Sequence, residues 1–122
     1  MVSAKILTPT LPKEWDSCGN PSIGALACPE NDYCQPWDVN FFQCVPKPAK
    51  CSSLYPQVDF YGDDIKTVFS VGPWECCDKC AETKGCRAYT FVNDNKDVPA
   101  CYLKTGTGDK RYRTTAVSGL LN

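Results

Sequence analysis

Residues 73–91 read Pro73-Trp74-Glu75-Cys76-Cys77-Asp78-Lys79-Cys80-Ala81-Glu82-Thr83-Lys84-Gly85-Cys86-Arg87-Ala88-Tyr89-Thr90-Phe91. Pro73 suits the first position of a helix, and Gly72 before it can serve as the cap. Glu75 lies where the positive end of the helix dipole favours an acid. Lys84 falls near the other end, and Gly85 follows as a stop. Cys76 and Cys80 are four residues apart and share one face of such a helix, whereas Cys77 points about 100° away. Strands are expected at Val58–Tyr61, Arg87–Val92, Cys101–Lys104 and Thr114–Ser118, with Gly106 and Gly108 in a turn. The result is one helix on a small antiparallel sheet.

The whole chain has 122 residues, a formal charge of -1 and ten cysteines. Near-neutrality gives no footprint for nucleic acid, and no apolar run reaches the length that spans a bilayer. Histidine is absent, which excludes Ser-His-Asp and Cys-His nucleophile pairs and mixed Cys/His zinc sites. An even and dense cysteine set reads as disulfides formed in an oxidising, extracellular compartment. Met1 to Leu7 contains Lys5 and is followed by Pro9 and Pro12, so no export signal is legible in this stretch. The expectation is a secreted or wall-associated protein whose signal is not part of this chain.

Cysteines and charge divide the chain at the same place. Residues 1–12 read as a loose polar arm. Residues 13–46 hold Cys18, Cys28, Cys34 and Cys44, with one base against five acids. Val45-Pro46-Lys47-Pro48-Ala49-Lys50 follows, and residues 47–50 read as a stiff spacer. Residues 51–122 hold Cys51, Cys76, Cys77, Cys80, Cys86 and Cys101. The first module, too short for a self-sufficient core, carries short strands around Tyr33–Gln35 and Phe41–Val45. It also carries Trp15, Tyr33, Trp37, Phe41 and Phe42, more rings than it can bury. An exposed row of rings stacks on flat apolar faces such as that of a β-linked glucose unit, without needing charge.

The spacing Cys18-x9-Cys28-x5-Cys34-x9-Cys44 resembles the fungal-type (family 1) cellulose-binding module. So do Trp15 three residues before the first cysteine, Cys18-Gly19, Cys34-Gln35 and Gln43-Cys44. The resemblance implies a small three-stranded sheet with Cys18–Cys34 and Cys28–Cys44. It implies cellulose binding through Trp15, Phe41 and a third ring from Phe42 or Trp37. Gln43 falls on the family's hydrogen-bonding glutamine and Asp38 on its asparagine. Tyr33, beside a bridged cysteine, reads as packing.

Cys77-Asp78-Lys79-Cys80 is a C-x-x-C pair, but it lies inside the helix rather than at its start, which argues against a redox dithiol. A zinc site would strand other cysteines, so no metal or cofactor is expected. Residues Cys51 to about Leu121 resemble a PAN/apple domain. The resemblance rests on the stretch quoted first, on Cys101-Tyr102-Leu103-Lys104, and on Asp59-Phe60-Tyr61-Gly62-Asp63-Asp64. It implies Cys80–Cys86 and Cys76–Cys101, leaving Cys51–Cys77; exchange of Cys76 and Cys77 is the alternative. Apple domains bind proteins or carbohydrates and share no catalytic residues. Arg87, Lys104, Lys110, Arg111 and Arg113 are candidates to meet acidic glycans, against a plainer reading as a solvated basic surface.

The fold class expected is thus a small disulfide-rich two-module protein. A cystine-stabilised three-stranded antiparallel β module precedes an α+β PAN/apple domain with one helix on an antiparallel sheet. The combination resembles the oomycete cellulose-binding elicitor lectins. That implies a non-catalytic, lectin-like protein that adheres to cellulose or another β-glucan in cell walls and is sensed by plants. Its apple domain would contact a protein or glycan. The competing class is a protein-binding adhesin in which the apple surface dominates. A small carbohydrate-active enzyme is disfavoured: Asp63-Asp64 and Glu14 with Asp16 are too close in sequence to oppose one another across a scissile bond.

Overall fold

A computed structural model describes residues 11–20, 24–95 and 97–122; most of the expected N-terminal arm lies outside them. Two antiparallel sheets form along the chain. The first comprises β1 (Ser17–Asn20), β2 (Gly24–Ala25), β3 (Asp32–Asp38) and β4 (Phe41–Pro46), in the order β2-β1-β4-β3. It is a three-stranded sheet with a two-residue strand added at its edge. The second comprises β5 (Ser53–Tyr61), β6 (Asp64–Phe69), β7 (Ala88–Val92), β8 (Ala100–Lys104) and β9 (Asp109–Leu120), in the order β5-β9-β7-β8-β6. Helix α1 (Pro73–Glu82) connects β6 to β7.

The helix begins as its sequence dictates. Gly72 O accepts from Glu75 N at 3.0 Å, and Gly72 N donates to Glu75 Oε2 at 2.6 Å. The far end differs from expectation. The helix stops at Glu82, before Lys84, because Thr83 leaves helical geometry at φ -101°, ψ 120°. The Thr83 hydroxyl donates back to Lys79 O at 2.7 Å. Gly85, at φ 86°, turns the chain after the helix rather than ending it.

In the second sheet β5 and β9 run well past their expected bounds and β6 was not expected. β5 begins at Ser53 despite Pro56, which an edge strand tolerates because the missing N–H faces no partner. Gln57, at φ 62°, sits where the register shifts between Pro56 and Val58. Before it, Pro56 pairs with Val117; after it, Val58 pairs with Tyr112. The outer part of the β5–β9 ribbon thereby bends over the sheet face away from the helix. Phe60 N donates to Thr90 Oγ1 (3.1 Å) and Ser118 Oγ (3.2 Å), and Ser118 Oγ donates to Val58 O (2.7 Å). This explains why β7 is buried along its whole length. β6 is the unforeseen strand. Its polar sequence Asp64-Ile65-Lys66-Thr67-Val68-Phe69 pairs only with β8, at the sheet edge.

Five disulfides staple the molecule: Cys18–Cys34, Cys28–Cys44, Cys51–Cys77, Cys76–Cys101 and Cys80–Cys86. No free cysteine is left. Each closed loop stabilises by about 2–4 kcal/mol in the chain-entropy account. The Cys76 and Cys77 alternative resolves by angle, since consecutive helical residues point to different partners, Cys101 on β8 and Cys51 before β5.

The two sheets are not separately packed bodies. Tyr33 and Val45 of the first sheet lie in one core with Cys51, Cys76, Cys77, Cys80, Tyr89, Phe91, Leu103 and Val117. The opposite face of that sheet has its own small core of Cys18, Phe42 and Cys44, flanked by Cys28 and Cys34. The connecting residues are tied down as well. Lys47 N donates to Asn31 O (2.9 Å), and Asn122 donates to Lys50 O (2.8 Å) and Ala49 O (3.1 Å). Within the shared core, Tyr33 donates to Gln35 Oε1 at 2.6 Å. Burial, then the neighbouring Tyr89, pushes the Tyr33 phenol well above its ordinary range. Burial does the same to Tyr89.

Candidate functional site

In β4, Phe41 and Phe42 are consecutive, so they must face opposite sides of the sheet. Phe41 is 40% exposed and Phe42 only 2%. Phe42 is therefore corrected from a sugar-facing ring to a core residue, on the same side as Cys44. The signal was present in the spacing: Phe42 stands two residues from Cys44, hence on the disulfide-bearing face.

Trp15 lies in a turn before β1, 54% exposed and at φ 73°. The turn is fixed at both ends. Asp16 N donates to Lys13 O (3.0 Å), and Lys13 N donates to Asp16 Oδ2 (3.0 Å). Trp15 N donates to Cys44 O (2.8 Å), and Cys44 N to Asp16 O (2.9 Å). The ring is thus held at the margin of β4 while its face stays open. Glu14, next to it, stands beside the buried Asp32 carboxyl. Desolvation, then the charge and hydrogen bond of Asp32, raises the Glu14 carboxyl above the usual carboxylate range.

Gln43 and Trp37, both read from the sequence as sugar contacts, are placed otherwise. Trp37 Nε1 donates to Gln43 Oε1 at 2.9 Å, and Gln43 Nε2 donates to Trp15 O at 2.9 Å. Gln43 is therefore a strut that positions the Trp15 turn. Trp37 is only partly exposed and packs edge-on against Trp74 (6.0 Å between centroids) and Phe91 (6.2 Å). Asn93 Nδ2 donates to Trp37 O at 2.5 Å. Trp37 thus joins the two sheets, displaced by the irregularity between Pro36 and Asp38 where β3 bends into the hairpin. Asp38 Oδ1 accepts from Asn40 N at 2.7 Å, shaping that hairpin. Of the five aromatics in the first module, Trp15 and Phe41 are the rings left open.

Three of the five basic side chains read as candidates, Lys104, Arg111 and Arg113, are paired with carboxylates. Lys104 is buried, paired with Asp64 and donating to Gly62 O at 2.9 Å. Arg113 bridges Asp94 and Asp59. Despite partial burial, the hydrogen bonds from Thr115 and Arg113 hold the Asp94 carboxyl below its usual range. Arg111 lies 3.9 Å from the Tyr61 ring centre and pairs with Asp109. Lys110 stands over Tyr55 (5.7 Å). Arg87 and Lys110 are exposed and in no ion pair among the described residues, so pairing weakens the case for an acidic glycan at the other three positions only. The Sγ atoms of Cys18, Cys28 and Cys34 cluster within 4.8 Å of one another. All three are in disulfides and offer no thiolate to a metal.

Residues 58–104, from the outer half of β5 through β8, match the PAN domain family. No curated protein matches the chain. Such a match suggests protein or carbohydrate binding in general for this part of the molecule. A PAN domain with many disulfides is typical of extracellular proteins. Among the described residues no helix is long and apolar enough to cross a membrane.

Proposed function

We propose that this protein is a non-catalytic, lectin-like binder of cellulose or a related β-glucan, secreted to the extracellular or wall space. Adhesion to cell walls follows from that reading, and a role as an elicitor of plant defence rests on the resemblance to the oomycete lectins alone. Its supporting observation is the pair of open rings, Trp15 in the turn before β1 and Phe41 on β4 of a disulfide-stapled sheet. Each ring stacked on a sugar contributes ~1–3 kcal/mol gross, by analogy with base–aromatic stacking. Two rings, less the cost of association, give weak binding per molecule. The test is adsorption to microcrystalline cellulose at low and high salt. Retention that persists at about 1 M salt supports stacking, because uncharged rings are not screened. Absence of adsorption, or its loss in salt, refutes it.

A second reading has its own observation. Tyr61, Phe69 and Tyr112 are exposed on the second unit, and a protein partner recognised there would make the chain an adhesin. Capture of a wall or host protein by the full chain carrying Trp15→Ala, with cellulose absent, favours that reading.

A further inference from the structure

We infer a second saccharide subsite in the cleft between the first sheet and the PAN domain, shaped to take a glucose unit of a soluble β-glucan oligosaccharide. The inference rests on the reading of the chain as a β-glucan binder, but not on Trp15 or Phe41 being its contacts.

The cleft is a shallow, largely open hollow of about 450 Å³, room for a sugar ring lying on its floor, and module junctions are favoured places for ligand sites. Trp37 forms one wall, and Val71 and Pro99 supply further apolar surface. The polar groups are Asp38, Ser70, Asn93 and Asp97. The described lining residues are neutral or acidic. An indole beside carboxylate, amide and hydroxyl groups suits a neutral ring edged with hydroxyl donors.

The walls are built before any ligand arrives. Trp37 is fixed by Trp74, Phe91, Gln43 and Asn93. Ser70, held at φ 60°, donates its N–H to Pro99 O at 2.7 Å. Gly72 approaches the Trp74 ring so closely that a Cβ there would lie 2.7 Å from Cε2. Preorganisation of this kind lowers the ordering cost of binding. The cleft also adjoins the proposed adsorption face. Asp38 on its rim and Phe41 are direct partners across the β3–β4 hairpin, so their Cα atoms lie about 5 Å apart. A glucan stacked on Phe41 has the cleft mouth within one strand spacing.

The chain has three tryptophans, so Trp15→Phe leaves Trp37 and Trp74 as the only indoles. Titrating that variant with cellohexaose should give a saturable change in indole fluorescence. Asp97 is exposed in a loop, and Asp97→Ala in the same background should weaken the response by about tenfold, as expected for loss of a hydrogen bond to a charged group. Asp97→Asn, which keeps an acceptor, should restore part of it. No response to cellohexaose at about 10 mM, a concentration that detects even binding worth under 3 kcal/mol, overturns the inference. So does a response that Asp97→Ala leaves unchanged, or a response confined to an arginine-rich peptide. The two sites fail separately. Wild type that ignores insoluble cellulose, while Trp15→Phe answers cellohexaose in an Asp97-dependent way, supports the cleft and removes the adsorption face. Adsorption with no answer to cellohexaose removes the cleft alone.

Discussion

Replacing Trp37 by Ala should cost stability, not merely binding. The side chain makes two edge-on aromatic contacts, at 6.0 and 6.2 Å, and one hydrogen bond of 2.9 Å to Gln43. Aromatic pairs of this kind are worth ~0.5–1.5 kcal/mol each beyond burial, and the hydrogen bond about 1 kcal/mol. A fully buried Trp→Ala change costs ~3–5 kcal/mol. Trp37 is only partly buried, so the lower end, about 3 kcal/mol, is expected. With a urea slope of ~1–3 kcal/mol per molar, the unfolding midpoint should fall by roughly 1–3 M. Trp37→Phe keeps a ring and loses the Nε1 donor, and should recover about half or more of that drop. Trp15→Ala is the contrast: an exposed side chain whose loss should move stability by no more than about 0.5 kcal/mol. Equilibrium urea unfolding with all disulfides intact is the assay. A Trp37→Ala midpoint within about 0.3 M of wild type, or a larger drop for Trp15→Ala, would refute the assignment of Trp37 as the joint between the sheets.

Other consequences follow from single observations. Phe42→Ala opens a cavity in the small core and should cost ~3–5 kcal/mol, read from the same urea curves. Gly119→Ala places a Cβ 2.6 Å from the Tyr89 ring; crowding of a packed core should destabilise by ~1–3 kcal/mol, whereas a neutral result would mean that Tyr89 moves freely. Glu14, raised in the folded state by desolvation and then by Asp32, adds stability below the usual carboxylate range that is lost as pH rises through its raised value. Glu14→Gln should flatten that loss, and midpoints measured from about pH 4 to 8, spanning the ordinary Glu value, check it.

Much of the second sheet was readable because its signals are local. Pro73 with Glu75 starts a helix, and the Cys76/Cys77/Cys80 pattern tells which face meets the sheet. The helix end was misplaced because Thr83 stops it through a side chain-to-backbone bond, a device less visible than Gly85. β6 escaped because an edge strand paired on one side carries no clear alternation. In the first module the cysteine spacing located the sheet, but the aromatics required the third dimension. Trp37 looks like an exposed contact until the second unit is set against it, and Gln43 is then taken by Trp37 and by Trp15 of its own module. Nothing in residues 13–46 alone says that Tyr33 and Val45 complete a core shared with Phe91. Phe42 was legible by strand parity from Cys44, a rule that outranks the count of adjacent aromatics.

The most direct test of the account is the adsorption isotherm on microcrystalline cellulose for wild type, Trp15→Ala and Phe41→Ala, with zero free thiols confirmed in each. Each single loss should weaken adsorption by roughly 5–150-fold, the equivalent of ~1–3 kcal/mol. The double replacement should leave no measurable adsorption. An unchanged isotherm for Trp15→Ala would contradict the claim that the two open rings are what holds the glucan.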